Sequence, residues 1–187
     1  MLNKLRFQLR QDNISNLRQS GMALNMYSDD FSEKIQTYKD GAGTARPWAG
    51  RLQNEGYIDG YEAAVCPTYP TTGGPFHTYG INRNAWVGTN NTMSEIYMSI
   101  GSDSYLNMQG VDINSEFVLL ADSIMMHGGD KQAHQILSAS TVHSGPHLRH
   151  GVKADTLFAD GHVSALTKFD LVNLGFLYGY NLNRQAW

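Results

Sequence analysis

Ala154-Asp-Thr-Leu-Phe-Ala-Asp-Gly-His-Val-Ser-Ala-Leu166 is the stretch whose reading decides the fold. Asp160-Gly161 supplies the positive φ angles of a two-residue type I′ turn between two short strands. A turn of that length sets Ala159 opposite His162, Phe158 opposite Val163 and Leu157 opposite Ser164. Phe158 and Val163 then share one face of the sheet, and that face is expected to meet the main helix. Upstream, Glu116-Phe-Val-Leu-Leu-Ala-Asp122 is short, apolar and flanked by turn formers, which suits a central strand. Phe76 to Asn82 and Thr92 to Ile100 read as two further strands.

At the other end of the chain the period changes. Leu2, Leu5, Leu9, Leu17, Leu24, Tyr27 and Phe31 recur mostly at spacings of three, four or seven, and so fall near one stripe of a helix from Leu2 to about Asp30. Asn13, Ser15, Asn16 and Gly21 are weak helix formers, so the helix must be held by what its stripe packs on. Pro47 opens a short helix through Asn54 that Gly56 ends. Pro67, Pro70, Gly73, Gly74 and Pro75 make Gly60 to Gly80 a long irregular connection. Asp170 reads as the N-cap of a last short helix through Leu177. A helix first and strands afterwards, without alternating strand and helix units, predicts an α+β fold. The expectation is one domain over 1–187, with a long N-terminal helix over 1–31 packed on a small, mostly antiparallel sheet within 32–187.

Of the 187 residues, 41% are apolar and 17% charged, the composition of a globular chain, which at this length buries on the order of 70% of its unfolded surface. The net charge of -3 argues against a protein that grips nucleic acid by neutralising phosphates, and no nucleic-acid partner is expected. Lys4, Arg6, Arg10 and Arg18 against Asp12 nonetheless make the first twenty residues locally basic, as a solvated helix face or a contact with anionic headgroups. No stretch approaches the ~18 continuous apolar residues of a spanning helix; the best, Phe117 to Met126, is interrupted by Asp122. No signal-peptide pattern appears at the N-terminus.

Six of the seven histidines, His127, His134, His143, His147, His150 and His162, fall close together, with Asp122, Asp130, Asp155 and Asp160 in or beside their span. Imidazoles and carboxylates are the usual ligands of divalent ions, so His143, His147, His150, Asp160 and His162 are metal candidates. Their spacing fits no metalloprotease pattern, and Ser144-Gly145-Pro146 keeps His143 and His147 off a common helix face. Surface or structural histidines are the plainer reading. Cys66, the single cysteine, forms no internal bridge; it reads as a buried small hydrophobe, because the sequence identifies no cation to activate it as a nucleophile. Trp48, Trp86, Trp187 and the ten tyrosines suit either ordinary packing or a carbohydrate or peptide groove. Dinucleotide, phosphate-loop and nucleophile-elbow motifs are missing, and no nucleophile, base and orienting group stand in recognisable order.

Two stretches together resemble a known family. Asn16-Leu-Arg-Gln-Ser-Gly-Met-Ala-Leu-Asn-Met-Tyr-Ser-Asp-Asp30 is similar to the helix that follows the membrane segment in type IV pilin-like proteins, specifically the type II secretion pseudopilin G-like family. Gln36 stands where that family often has proline. His150, nine intervening residues and Asp160-Gly161 match the prepilin-associated H-x9-D-G pattern. Trp48 with Leu52 and Tyr57, Cys66-Pro67, Tyr79-Gly80-Ile81-Asn82 and Leu119 to Asp122 follow in the family's order.

The resemblance implies a non-enzymatic structural subunit, with no catalytic residue, that assembles through its N-terminal helix with copies of itself and other pseudopilins into a filament. It further implies an apolar anchoring segment ahead of Met1, processed by a prepilin peptidase and methylated, so that the protein sits in the inner membrane with a periplasmic or extracellular head. No organic cofactor is implied; some pseudopilin heads hold calcium, whose ligands are not matched here residue by residue. For His150, Asp160 and Gly161 the expected role is structural: Asp160 and Gly161 make the hairpin turn, and His150 donates a ring N–H to that turn or to Asp160. The alternative from another class is an extracytoplasmic binding module that takes a metal through the histidine-rich region 127–162.

Overall fold

The computed structural model describes residues 2–39, 46–69, 74–83, 93–125, 131–137 and 144–187. Helix α1 covers Leu2–Asp30, as the apolar period predicts. It has no acidic residue in its first turn and no basic residue in its last, so its ends gain nothing from the helix dipole. What holds it is a buried stripe of Asn13, Leu17, Ser20, Leu24, Tyr27 and Ser28. That stripe starts later than expected. Lys4 to Gln8 are all exposed, Leu5 at 57% and Phe7 at 65%, and Phe31 beyond the helix end is exposed as well. A helix of 29 residues is ~43 Å long, whereas the five-residue strands beneath it span only ~17 Å, so its first turns overhang the head.

The chain continues through β1 (Lys34–Lys39), β2 (Arg46–Pro47) and α2 (Trp48–Asn54). Pro47 caps α2, and Gly56 at φ 82 closes it, with Tyr57 N donating to Leu52 O at 2.9 Å and Gly56 N to Gln53 O at 3.1 Å. A connection with a 3-10 turn at Glu62–Ala64 leads to β3 (Gly80–Asn82). Next come α3 (Met93–Ile96), β4 (Tyr97–Ile100), β5 (Asp103–Asn107), β6 (Val118–Ala121), β7 (Ser123–Met125) and β8 (Gln135–Ile136). The chain ends with β9 (Ser144–Pro146), β10 (Ala154–Phe158), β11 (Val163–Leu166) and α4 (Lys168–Asn173). Strands β2-β1-β5-β4 form one antiparallel sheet; β11-β10-β6-β3-β8 form a second, antiparallel except for β3 beside β8; β7 and β9 pair apart.

The fold is therefore α+β, with α1 laid across β10, β6 and β11 and touching β1. Leu17, Leu24 and Tyr27 of α1 share a core with Ile35, Trp48, Ile81, Leu106, Leu119 and Leu157. On the other face of the five-stranded sheet, Val118, Phe158 and Leu166 pack with Leu171 and Phe176 from α4 and the tail. At Gly21 the helix lies close on the sheet: a Cβ there would lie 2.7 Å from Leu157 Cδ2.

Several expectations change, among them the strand over Phe76 to Asn82, which shortens to β3, and the last helix, which ends at Asn173 and not at Leu177. The hairpin register is one residue off, for Leu157 pairs with Val163 and Thr156 with Ser164. The loop has three residues, Ala159 to Gly161, closed by Phe158 N to His162 O at 2.9 Å and Gly161 N to Phe158 O at 2.9 Å, with Gly161 alone at positive φ (88°). A type I′ turn would need Asp160 at positive φ too, whereas a type I turn with a glycine bulge needs only Gly161 there. Leu157 thereby joins Val163 on the face toward α1, and Phe158 turns to the opposite face. Of the strand expected over Thr92 to Ile100, Thr92 lies outside the described residues and the remainder divides into α3 and β4. Finally, Thr167, not Asp170, caps α4: Asp170 is the third residue of the helix and closes a capping box, accepting from Thr167 N at 2.8 Å while its own N–H donates to Thr167 Oγ1.

Candidate functional site

Beneath α1 the two sheet-borne aspartates, one histidine and the single cysteine converge. Asp122 follows β6 directly and Asp155 is the second residue of β10, on the face turned to α1. The two are knitted together: Asp155 N donates to the Asp122 side chain at Oδ2, 2.8 Å away, and Asp122 N to Asp155 O at 3.0 Å. Cys66 lies in the irregular connection, tied to Gln132 by Cys66 N to Gln132 Oε1 and Gln132 Nε2 to Cys66 O, both at 3.1 Å. His150 is presented by a tight turn in which its N–H donates to Lys153 O at 3.0 Å across Gly151 (φ 61) and Val152 (φ 66). Two successive positive φ angles make this a type I′ turn, with a β-branched residue where glycine or asparagine is favoured.

His150 Nε2 is the centre of the arrangement. It lies 3.2 Å from Asp122 Oδ2, 3.8 Å from Asp155 Oδ2, 3.4 Å from Cys66 Sγ and 3.2 Å from Asn13 Nδ2. Asn13, in the buried stripe of α1, receives Tyr79 OH on its Oδ1 at 2.6 Å. That bond turns its Nδ2 downward to donate to Asp155 Oδ2 at 3.0 Å. Arg10, one helical turn earlier, reaches Asp155 Oδ1 at 3.3 Å. Helix and sheet are thus joined at this point by polar contacts in a mainly apolar interface.

Charge here is balanced inside the protein. Burial works to lower the His150 pKa, but the hydrogen bonds to Asp122 and Cys66 outweigh it and raise the imidazole to about 10. Burial likewise works to raise the Asp122 carboxyl, yet the nearby Arg149 charge and the His150 bond hold it below its ordinary value. Arg149 is itself buried, donating from Nη2 to Ser123 O and from Nε to His147 Nδ1 at 3.1 Å, with its guanidinium over the Tyr69 ring at 4.2 Å. Cys66 and His150 do not have the layout of a nucleophile and its base. The sulfur is fully buried, and Asp122 meets the same ring nitrogen as the thiol, so no proton can pass across the ring.

The residues singled out by sequence separate into different places. Asp160 and His162 meet at the hairpin turn, where Asp160 Oδ1 accepts from His162 N at 3.0 Å and lies 2.6 Å from His162 Nδ1. The His162 ring stacks on Phe158 at 4.1 Å. His150 has its partners under α1, which corrects the expectation that it braces Asp160 or the turn. His147 points to Asn181 O at 3.2 Å; burial first, then Arg149, lowers its pKa to about 3. His143 and His127 lie outside the described residues, as does Trp86. Among the described residues the one group of histidine, cysteine and carboxylate atoms close enough to hold a metal is Cys66, Asp122 and His150. Of its members only His150 was a metal candidate from the sequence. Asp122 had a sequence signal, since it interrupts the most apolar run in the chain, and so did the neighbouring Asn13, which falls on the apolar stripe of α1; Cys66 had none.

No protein-family model, curated protein or solved structure matches the chain. Among the described residues no helix is long and apolar enough to cross a membrane.

Proposed function

We propose that this chain is a non-enzymatic structural subunit of the type IV pilin-like class, resembling a type II secretion pseudopilin, in which α1 is the assembly element and the α+β part is the head. The observation that carries this reading is the two-part character of α1. From Asn13 to Ser28 it is docked on the head, whereas Lys4 to Gln8 stand in solvent with Leu5 and Phe7 uncovered. Large apolar side chains on an overhanging helix need a partner, and a second copy offering the same helix supplies one. Contacts that repeat head to tail without closing give a filament. Lys4 and Arg6 lie at the overhanging end, where an anionic membrane surface would attract them. The chemistry that the resemblance implies for such a subunit is processing and methylation ahead of this region, with inner-membrane anchoring and a head outside the cytoplasm.

Mass spectrometry of the intact protein from its own cells tests this directly. An N-methylated residue heading about 20 apolar residues before position 1 is the expected result. A photo-activatable phenylalanine analogue at Phe7 should then give a ladder of cross-linked copies in membranes. A mature protein without an anchor, yielding no cross-linked copies, overturns the reading.

A further inference from the structure

We propose that Cys66 Sγ, His150 Nε2 and an Asp122 carboxylate oxygen form a binding site for one divalent transition-metal ion, zinc foremost, with Asp155 or a water as the fourth ligand. The site is independent of the filament reading, since its ligands all belong to the head.

The first argument is geometric. Zinc bonds of ~2.3 Å to sulfur and ~2.0–2.1 Å to nitrogen or oxygen, at tetrahedral angles, separate neighbouring ligand atoms by roughly 3.3–3.6 Å. Cys66 Sγ to His150 Nε2 is 3.4 Å and His150 Nε2 to Asp122 Oδ2 is 3.2 Å. All three ligand atoms lie within 4.8 Å of one another. Asp155 Oδ2, 3.8 Å from the same nitrogen, is placed for the remaining position.

The second argument is donor accounting. One imidazole nitrogen carries at most one proton and one bonding direction. His150 Nε2 nevertheless faces two carboxylates and a sulfur; Asp155 has other partners in Arg10 and Asn13, and Cys66 Sγ has Thr68 Oγ1 at 3.0 Å, but all three groups still converge on this one nitrogen. A single hydrogen bond satisfies one of these neighbours, whereas a cation between sulfur, nitrogen and oxygen serves all three ligands together. Asp122 supplies an independent sign. It is fully buried, and among the described residues its Oδ1 has no hydrogen-bond partner. Buried carboxylate oxygens are ordinarily satisfied, and an ion held by both oxygens of this carboxylate would satisfy Oδ1 while using the Oδ2 that faces His150.

The ligand types choose the ion. A thiolate and an imidazole are poor ligands for calcium or magnesium and good ones for zinc. Because the ligands come from the irregular connection, the end of β6 and the turn before β10, a bound ion would pin that connection to the sheet. The burial of Cys66 and Asp122 marks such a site as structural, closed to substrate.

The test uses the chain without a polyhistidine tag. Elemental analysis, titration with Zn2+ against a chromophoric chelator, and Co2+ substitution should give one tight equivalent per chain. The cobalt form should show a thiolate-to-metal charge-transfer band that Cys66→Ser abolishes, with circular dichroism reporting that the variant is folded. Wild-type Tm should fall with chelator and recover with Zn2+, a readout that needs no variant. Two results overturn the proposal: a wild-type chain that holds no metal and melts identically with chelator or Zn2+, or metal binding that survives unchanged in Cys66→Ser and His150→Gln.

Discussion

His150 and Asp160 belong to one sequence motif and do different work. His150 is buried against Asp122 and Asp155, whereas Asp160 is at the surface and orders a turn with His162. Truncating His150 leaves two buried carboxylates short of a partner, a change that costs about 3 kcal/mol or more. His150→Ala should therefore lower Tm by about 10 °C in a chain of this size. Asp160→Asn, at an exposed pair, should stay within about 1 kcal/mol. Paired thermal melts check both, and equal losses would return His150 to the hairpin corner. The motif made His150 visible in the sequence, but Asn13, Cys66 and Asp122 become its neighbours only when the chain folds, so no local spacing announces them. His134 titrates differently. Its ring lies between Tyr38 and Phe76, with the Arg83 guanidinium over Tyr38 and His77 nearby. Burial lowers its pKa to about 4, opposed by the Phe76 backbone and aided by Arg83 and His77. Between about pH 6.5 and 4 the unfolded chain takes up a proton there that the folded chain does not, so folding weakens as pH falls. The wild type should lose up to ~1.4 kcal/mol per pH unit more than His134→Phe across that window. Urea unfolding of both proteins at several pH values measures the difference, and parallel curves would mean that His134 is protonated in the fold.

Two turns set the working elements, and both rest on left-handed backbone. Gly161 at φ 88 has open space where a Cβ would point, so the penalty of a substitution there is conformational and not steric with its neighbours. Gly161→Val should cost about 1–3 kcal/mol, because a β-branched residue is among the worst in that region. Val152 is the converse case: it already sits at φ 66 while 71% exposed, so its side chain gives little packing in return for the strain. Val152→Gly should relieve the turn that presents His150 and raise stability by up to about 1 kcal/mol. Chemical denaturation of the two variants checks the pair, and a destabilised Val152→Gly would mean that the strain is needed to seat His150. The same two turns show what was legible at this scale. Asp160-Gly161 announced a hairpin correctly, yet its length depended on whether Asp160 also took positive φ, which the dipeptide leaves open. Helix α1 was readable from Leu2 to Asp30 because its period is sustained over eight turns. The strands were overextended for the opposite reason: β3 and β4 have three and four residues, too few for alternation to fix their ends.

At the scale of the whole molecule, the helix is longer than the head can cover, and its docking has a definite beginning. Arg10 reaches Asp155 and Asn13 reaches Asp155 and Asp122; after them come Leu17, Ser20, Leu24 and Tyr27, all buried. Before Arg10 the helix makes, among the described residues, only hydrogen bonds of its own, and two isolated turns are below the length that is stable alone in water. Amide exchange should therefore divide α1 into two parts in the separated monomer. Amides over 4–9 should exchange with little protection, while those over 17–28 should approach the global limit set by the core. Asn13→Leu should move that boundary toward Leu17, because it leaves Tyr79 OH and both aspartates without the amide that joins helix to sheet, at a cost of about 2–4 kcal/mol. Hydrogen exchange read by mass spectrometry at two protein concentrations decides the matter. Protection over 4–9 that rises with concentration means that Leu5 and Phe7 have found a second chain, the behaviour a filament subunit requires. Strong protection there at every dilution would instead mean that the overhanging turns are held within one molecule, and the assembly role assigned to α1 would fall with them.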